Sequence, residues 1–262
     1  MKPLKEVTVQ GVKLSYRVAG QGSMKVLFIH GALGSSMAWV FQLRMAEEEG
    51  FEALAPDLPG HGGSSDLQGE VDIAYLAGLM KSFLEVLGVE EAVVVGHSMG
   101  GAIAMTLAAE APRRVKGLAL ANTGAKLGVL PEILEGLSRD YRRTVEEVIA
   151  PMSFAYTVDK ALLEASIAEM MKVPPHVAYR NFKACNAFDF RDRLSEVKVP
   201  TLILVGSEDK LTPVKWAEYL HKHIAGSRLV VVEGAGHASM LEKPKEFNEA
   251  LRSFLRSLEG SK

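Results

Sequence analysis

Residues 91–105 read Glu91-Ala92-Val93-Val94-Val95-Gly96-His97-Ser98-Met99-Gly100-Gly101-Ala102-Ile103-Ala104-Met105. An apolar β-branched run stops at Gly96, a polar pair and two glycines follow, and a helix-compatible pattern continues through Leu107 to Glu110. This is a strand, a very tight turn and a helix. Ser98 stands at the apex, where a backbone bending from strand to helix leaves room only for hydrogen at neighbouring positions, which Gly96 and Gly100 supply. The free N–H groups and positive dipole end of the first helical turn favour negative charge beside Ser98. Such a junction can build an alkoxide or an oxyanion; the alternative is a glycine-rich turn that merely packs closely or holds an anion.

Upstream, Val26-Leu27-Phe28-Ile29 is a short continuous apolar run, the mark of a strand covered on both faces, and it leads into His30-Gly31-Ala32-Leu33-Gly34. Ligands bind at the carboxyl ends of strands in open parallel sheets. The Ala32 and Met99 N–H groups therefore form a candidate two-donor oxyanion hole. Val7, Val9, Val12, Leu14, Tyr16 and Val18 alternate about Gln10-Gly11 as an edge hairpin. Trp39 to Glu48 reads as a helix, Ala53 to Ala55 as a strand, and Asp72 to Leu87 as an amphipathic helix. Asp57 and His61 lie in a Gly/Pro-rich loop whose composition is explained by turning, so they are read as structural hydrogen-bonding groups.

Downstream, Val115 to Leu120 is a further strand, and alternating strands and helices imply a mostly parallel sheet. From residue 123 to about 195 the pattern becomes helical (Leu130 to Leu137, Thr144 to Ile149, Val158 to Met171, His176 to Cys185) with no convincing strand. The chain is thus read as an α/β core, residues 1–122 and 196–262, with an inserted helical cap, residues 123–195. Met152, Phe154, Phe182 and Phe188 in the cap, with Leu33 and Met240 from the core, are candidates for an apolar substrate pocket. The sheet resumes at Thr201 to Gly206 and ends with Arg228 to Val232. A helix, Val214 to Ile224, lies between these strands, and a last one runs from Pro244 to Leu258.

A chain of 262 residues, 48% hydrophobic, can bury a sizeable core. Its net charge of −2 and the lack of a long Lys/Arg run argue against nucleic acid or an anionic membrane as partner, leaving a small molecule. Cys185 is the only cysteine, so no internal disulfide or Cys-rich zinc site can form. Residues 1–6 lack a signal-peptide apolar core and no segment has the length of a membrane span, so a cytoplasmic location is expected.

A serine hydroxyl needs an imidazole to take its proton and a buried acid to orient that imidazole. His237 follows the last strand in Gly234-Ala235-Gly236-His237, and Asp209 follows Gly206 after the preceding strand. Both belong to the sheet edge that carries Ser98. His221 and His223 lie within a helix, His176 in the cap, and His97 is read as pointing away from the serine's face. Position 122, at the end of the strand after the serine turn, is Asn and cannot be an ionised acid.

With these pieces in place the sequence resembles the α/β-hydrolase superfamily across essentially its whole length. The matching stretches are His30-Gly31-Ala32-Leu33, Asp57-Leu58-Pro59-Gly60-His61-Gly62-Gly63-Ser64, Gly96-His97-Ser98-Met99-Gly100-Gly101, Gly206-Ser207-Glu208-Asp209 and Gly234-Ala235-Gly236-His237, in the chain order Ser, Asp, His. It is similar to capped single-domain carboxylesterases and cofactorless perhydrolases. The resemblance implies catalytic Ser98, Asp209 and His237, ester hydrolysis through an acyl-enzyme, and no metal or organic cofactor. Serine at the turn departs from haloalkane dehalogenases and epoxide hydrolases, which carry aspartate there. Carbon–carbon bond hydrolases often place Asn before the serine, where this chain has His97, and remain an alternative; a noncatalytic ligand receptor on the same fold is another.

Overall fold

The computed structural model describes residues 4–259, so Met1 to Pro3, on which part of the leader reading falls, lie outside the described residues. Eight strands form one sheet in the order β1-β2-β4-β3-β5-β6-β7-β8. The hairpin of β1 (Lys5–Val9) and β2 (Val12–Ala19) turns at Gln10 and Gly11, both at positive φ, and β2 pairs antiparallel with β4. The remaining strands are parallel: β3 (Lys25–Ile29), β4 (Glu52–Pro56), β5 (Ala92–His97), β6 (Val115–Ala121), β7 (Thr201–Gly206) and β8 (Arg228–Val232).

The continuous apolar runs of the central strands follow from burial on both faces. In β3, Leu27 and Ile29 join Val94, Leu118, Leu120 and Ile203 in one core layer, while Val26 and Phe28 join Val93, Val95, Ala119 and Leu202 in the other. Period-two alternation thus feeds two cores from one sheet. α1 (Val40–Glu48) covers one face and α2 (Ile73–Val86), capped by the Asp72 side chain on Tyr75 N–H, and α3 (Met99–Glu110) cover the other. The helix read from Trp39 starts instead as a 3-10 turn, Ser36–Trp39, before α1.

Between β6 and β7 the chain forms α4 (Pro131–Arg139), α5 (Tyr141–Arg143), a π-helical stretch Thr144–Ile149, α6 (Ala150–Ser153), α7 (Lys160–Met170) and α8 (Pro175–Ala187). An isolated bridge, Lys126 to Asp189, joins the two ends of this insertion. Leu33, from the core loop after β3, packs among the insertion's Ile133, Val145, Ile149, Val173 and Val177 in a third apolar cluster. The chain closes with α9 (Val214–His223), α10 (Ser239–Glu242) and α11 (Pro244–Glu259), the last packing on the α1 side through Phe247, Leu251 and Phe254.

Register places the functional loops together. Ile29 pairs with Gly96, Gly96 with Leu120, Leu120 with Ile203, and Gly206 with Val232, so the strands reach one carboxyl edge in step. The loops carrying Gly31, Ser98, Asn122, Asp209 and His237 all leave that edge.

Candidate active site

Ser98 has φ 53° and ψ −117°, a conformation that L residues rarely adopt and that packing must impose. A Cβ on Gly96 would lie 2.2 Å from Gly100 O, and one on Gly100 2.2 Å from Ile29 O, so the turn closes only because both side chains are absent. Ser98 N–H extends the sheet by donating to Ala121 O, and Ser98 O accepts from Thr123 Oγ1 at 2.8 Å. The half-buried side chain opens on a cavity of about 600 Å³. Its Oγ has no hydrogen-bond partner among the described residues.

His237 faces the same cavity. Its Nδ1 lies 2.9 Å from Asp209 Oδ2 and 3.1 Å from Oδ1, leaving Nε2 as the other ring nitrogen. Asp209 is buried and also accepts from the N–H groups of Leu211 and Thr212, from Thr212 Oγ1 and from Asn122 Nδ2. Burial opposes its ionisation, but the His237 charge and hydrogen bond, the Asn122 amide and the Thr212 N–H outweigh that and bring the carboxyl down to about 2. The acid is a permanent anion at neutral pH. Asn122, excluded as an acid on chemical grounds, is instead a donor to the acid: its Oδ1 accepts from Ser239 Oγ and its Nδ2 also donates to Gly236 O at 3.1 Å.

His97 requires a correction. Rather than pointing away, its ring lies 4.8 Å from the His237 ring, lines the cavity, and donates from Nε2 to His237 O at 2.8 Å. The turn that ejects Ser98 directs the preceding side chain under the histidine loop, which spacing alone does not reveal. Burial and the neighbouring His237 hold its pKa down to about 3, so His97 is a neutral support.

The loop after β3 abuts the serine: an ideal Cβ on Gly31 would lie 3.3 Å from Ser98 Cβ. The Ala32 N–H and the Met99 N–H, the latter at the first position of α3, have no acceptor among the described residues. Leu33, Met152, Phe154, Phe182 and Met240 line the cavity. Phe188 does not; it stacks on Phe190, ring centroids 5.8 Å apart, in the core beneath the insertion. It follows the end of α8, where the chain turns back toward the sheet, so its ring is spent on anchoring. Cys185 reaches the cavity wall, but burial pushes its thiol up to about 12, which removes it as a nucleophile at neutral pH.

Asp57 accepts from the N–H groups of Ser36 and Gly63, and His61 Nδ1 donates to Gly34 O at 2.8 Å. Neither side chain lines the cavity, in keeping with their reading as loop-holding groups. His176 pairs with Asp66, and His221 and His223 lie in α9, all away from Ser98. Among the described residues no group of three His, Cys, Asp or Glu side chains is arranged to hold a metal ion, and no helix is long and apolar enough to cross a membrane.

A serine on a strained strand-to-helix turn, opening on the same cavity as a His–Asp pair at one edge of a mostly parallel sheet, is the arrangement expected of an α/β-type hydrolase. The chain belongs to the α/β hydrolase family, whose model matches residues 26–250. It is 38% identical to a structure described as a thermophilic esterase, with a TM-score of 0.86 and 98% of each chain covered. It is 31% identical to the dihydrolipoyllysine-residue acetyltransferase component of the acetoin cleaving system of Cupriavidus necator, over 94% of this chain and 67% of that protein. To the pimeloyl-[acyl-carrier protein] methyl ester esterase of Neisseria meningitidis it is 29% identical, over 89% of this chain and 94% of that one.

Proposed function

We propose that the protein is a serine esterase that cleaves carboxylic esters of small to medium size through an acyl-enzyme, with residues 123–195 as its cap. The observation that carries this reading is the His237–Asp209 pair at 2.9 Å opening on the same cavity as the strained Ser98. Ser98 Oγ attacks the ester carbonyl as His237 Nε2 takes its proton, and Asp209 holds the imidazole by Nδ1 and stabilises its charged form. The Ala32 and Met99 N–H groups receive the tetrahedral oxyanion. His237 then returns the proton to the leaving alcohol, and water repeats the two steps on the acyl-enzyme. Catalytic hydrogen bonds to a serine commonly close only with substrate present, so an unpartnered Oγ is compatible with this role.

The cavity volume is that of a pocket for a small organic ligand, and its apolar lining suits an acyl chain. Relatives described as esterases point the same way. The test is hydrolysis of a chain-length series of p-nitrophenyl esters with phosphonate labelling of Ser98. Turnover and labelling are expected in the wild type, with a loss of about 10³-fold or more in folded Ser98→Ala. Ester binding without turnover would instead identify a receptor, and turnover confined to a meta-cleavage dienoate a carbon–carbon bond hydrolase.

A further inference from the structure

The loop that carries the Ala32 N–H is held from outside the core. His61 Nδ1 donates to Gly34 O, so His61 Nε2 carries the lone pair, and Asn181 Nδ2 donates to it at 2.7 Å. The second hydrogen of the same amide nitrogen reaches Ala32 O at 3.3 Å. Asn181 belongs to α8 of the cap and is buried where that helix meets the core. The neighbouring peptide is held too: Gly31 O accepts from His30 Nδ1 at 2.8 Å and from Gly34 N–H at 3.0 Å, and His30 Nε2 accepts from Leu58 N–H.

These bonds set the direction of the Ala32 N–H. Gly31 C=O and Ala32 N–H are opposite ends of one planar trans peptide, so anchoring the carbonyl aims the N–H the other way. Anchoring Ala32 O fixes the next peptide plane, and with it the rotation about Ala32. The first anchor comes from the core and the second from the cap. The ion pairs of Arg180 with Asp66 and of Lys183 with Glu70, together with the His176–Asp66 hydrogen bond, lock α8 to the loop that contains His61.

We infer that Asn181 is a positioning residue for the oxyanion loop, so that the loop is set for catalysis only while α8 of the cap is seated on the core. This rests on the serine esterase reading and names a control built into its site. Asn181 touches no reacting atom; it acts through the peptides on either side of Ala32. Misdirecting one of two oxyanion donors harms the transition state more than the bound substrate, because the charge they face develops only during the reaction.

The test is Asn181→Leu, which keeps most of the volume and removes both donated hydrogen bonds. On a p-nitrophenyl ester, kcat is expected to fall about 10- to 100-fold with KM within about twofold. Affinity for an alkylboronic acid, which forms a tetrahedral adduct on Ser98, should fall by a similar factor. Amide hydrogen exchange over residues 31–34 should rise while β5 stays protected. Should Asn181→Leu fail to fold, Asn181→Ala, which also lacks both donors, is read the same way. A variant with wild-type kcat and boronate affinity, or with a raised KM alone, overturns the inference, as does unchanged exchange in the loop. Faster loop exchange in a protein whose wild type neither turns over esters nor is labelled at Ser98 would sink the esterase reading and leave the coupling standing.

Discussion

Asn122 Nδ2 lies 2.9 Å from Asp209 Oδ2, a hydrogen bond between the end of β6 and the loop after β7, 87 residues apart. Asn122 sits at φ 48°, a region that Asn tolerates better than most residues. The acid therefore has a neutral donor where a second carboxylate would repel it. Asn122→Ala removes that donor from a buried anion, and we expect kcat to fall about tenfold or more with little change in KM. Steady-state kinetics with a thermal melt separate this from simple unfolding.

Strain at Ser98 sets function against stability. A non-glycine residue at φ 53°, ψ −117° costs about 1 kcal/mol or more relative to glycine. Ser98→Gly should abolish turnover yet raise Tm by about 2–4 °C, whereas Ser98→Ala, which keeps the Cβ, should not. Calorimetry on the two variants checks this.

Gly236, next to His237, is in backbone contact with the insertion between β6 and β7: a Cβ there would stand 2.5 Å from both Ala155 N and Phe154 C. Glu242 ties the same segments by accepting from Gly236 N–H and Ala155 N–H. Gly236→Ala must push the Phe154–Ala155 backbone away from the histidine loop, with an expected loss of about 2 kcal/mol in stability and at least tenfold in kcat/KM. Gly128→Ala, in a cavity-lining loop with nothing within 4 Å of the new methyl, should stay within about 0.5 kcal/mol of wild type. Urea unfolding of both provides the comparison.

Buried neutral histidine makes stability depend on pH. His97 in the folded chain holds no proton until about pH 3, whereas the unfolded side chain takes one near the ordinary imidazole value of 6.5. Between these values the unfolded state binds more protons, so stability falls as pH drops below about 6.5. At pH 5 the loss from this one group is roughly 2 kcal/mol. Burial lowers His30 and His61 as well, which steepens the same limb. His97→Gln should lose less stability than wild type between pH 7 and pH 5, by about that amount in urea melts.

The sequence alone determined the strands, their order of appearance and the serine turn. Each rests on local physics: β-branched runs such as Val93 to Val95, and glycines where a Cβ cannot fit. Ser98, Asp209 and His237 were legible as strand-end residues because a parallel sheet delivers all such ends to one edge. The place of Phe188, buried on Phe190 rather than in the cavity, was decided only by how the helices after β6 pack. The same holds for His97 beneath the His237 loop, and for the bonds from Asn122 to Asp209 and from Asn181 to Ala32 O. The last three join groups far apart in the chain, and side-chain direction at all of these contacts is set by tertiary packing, which no spacing along the chain encodes.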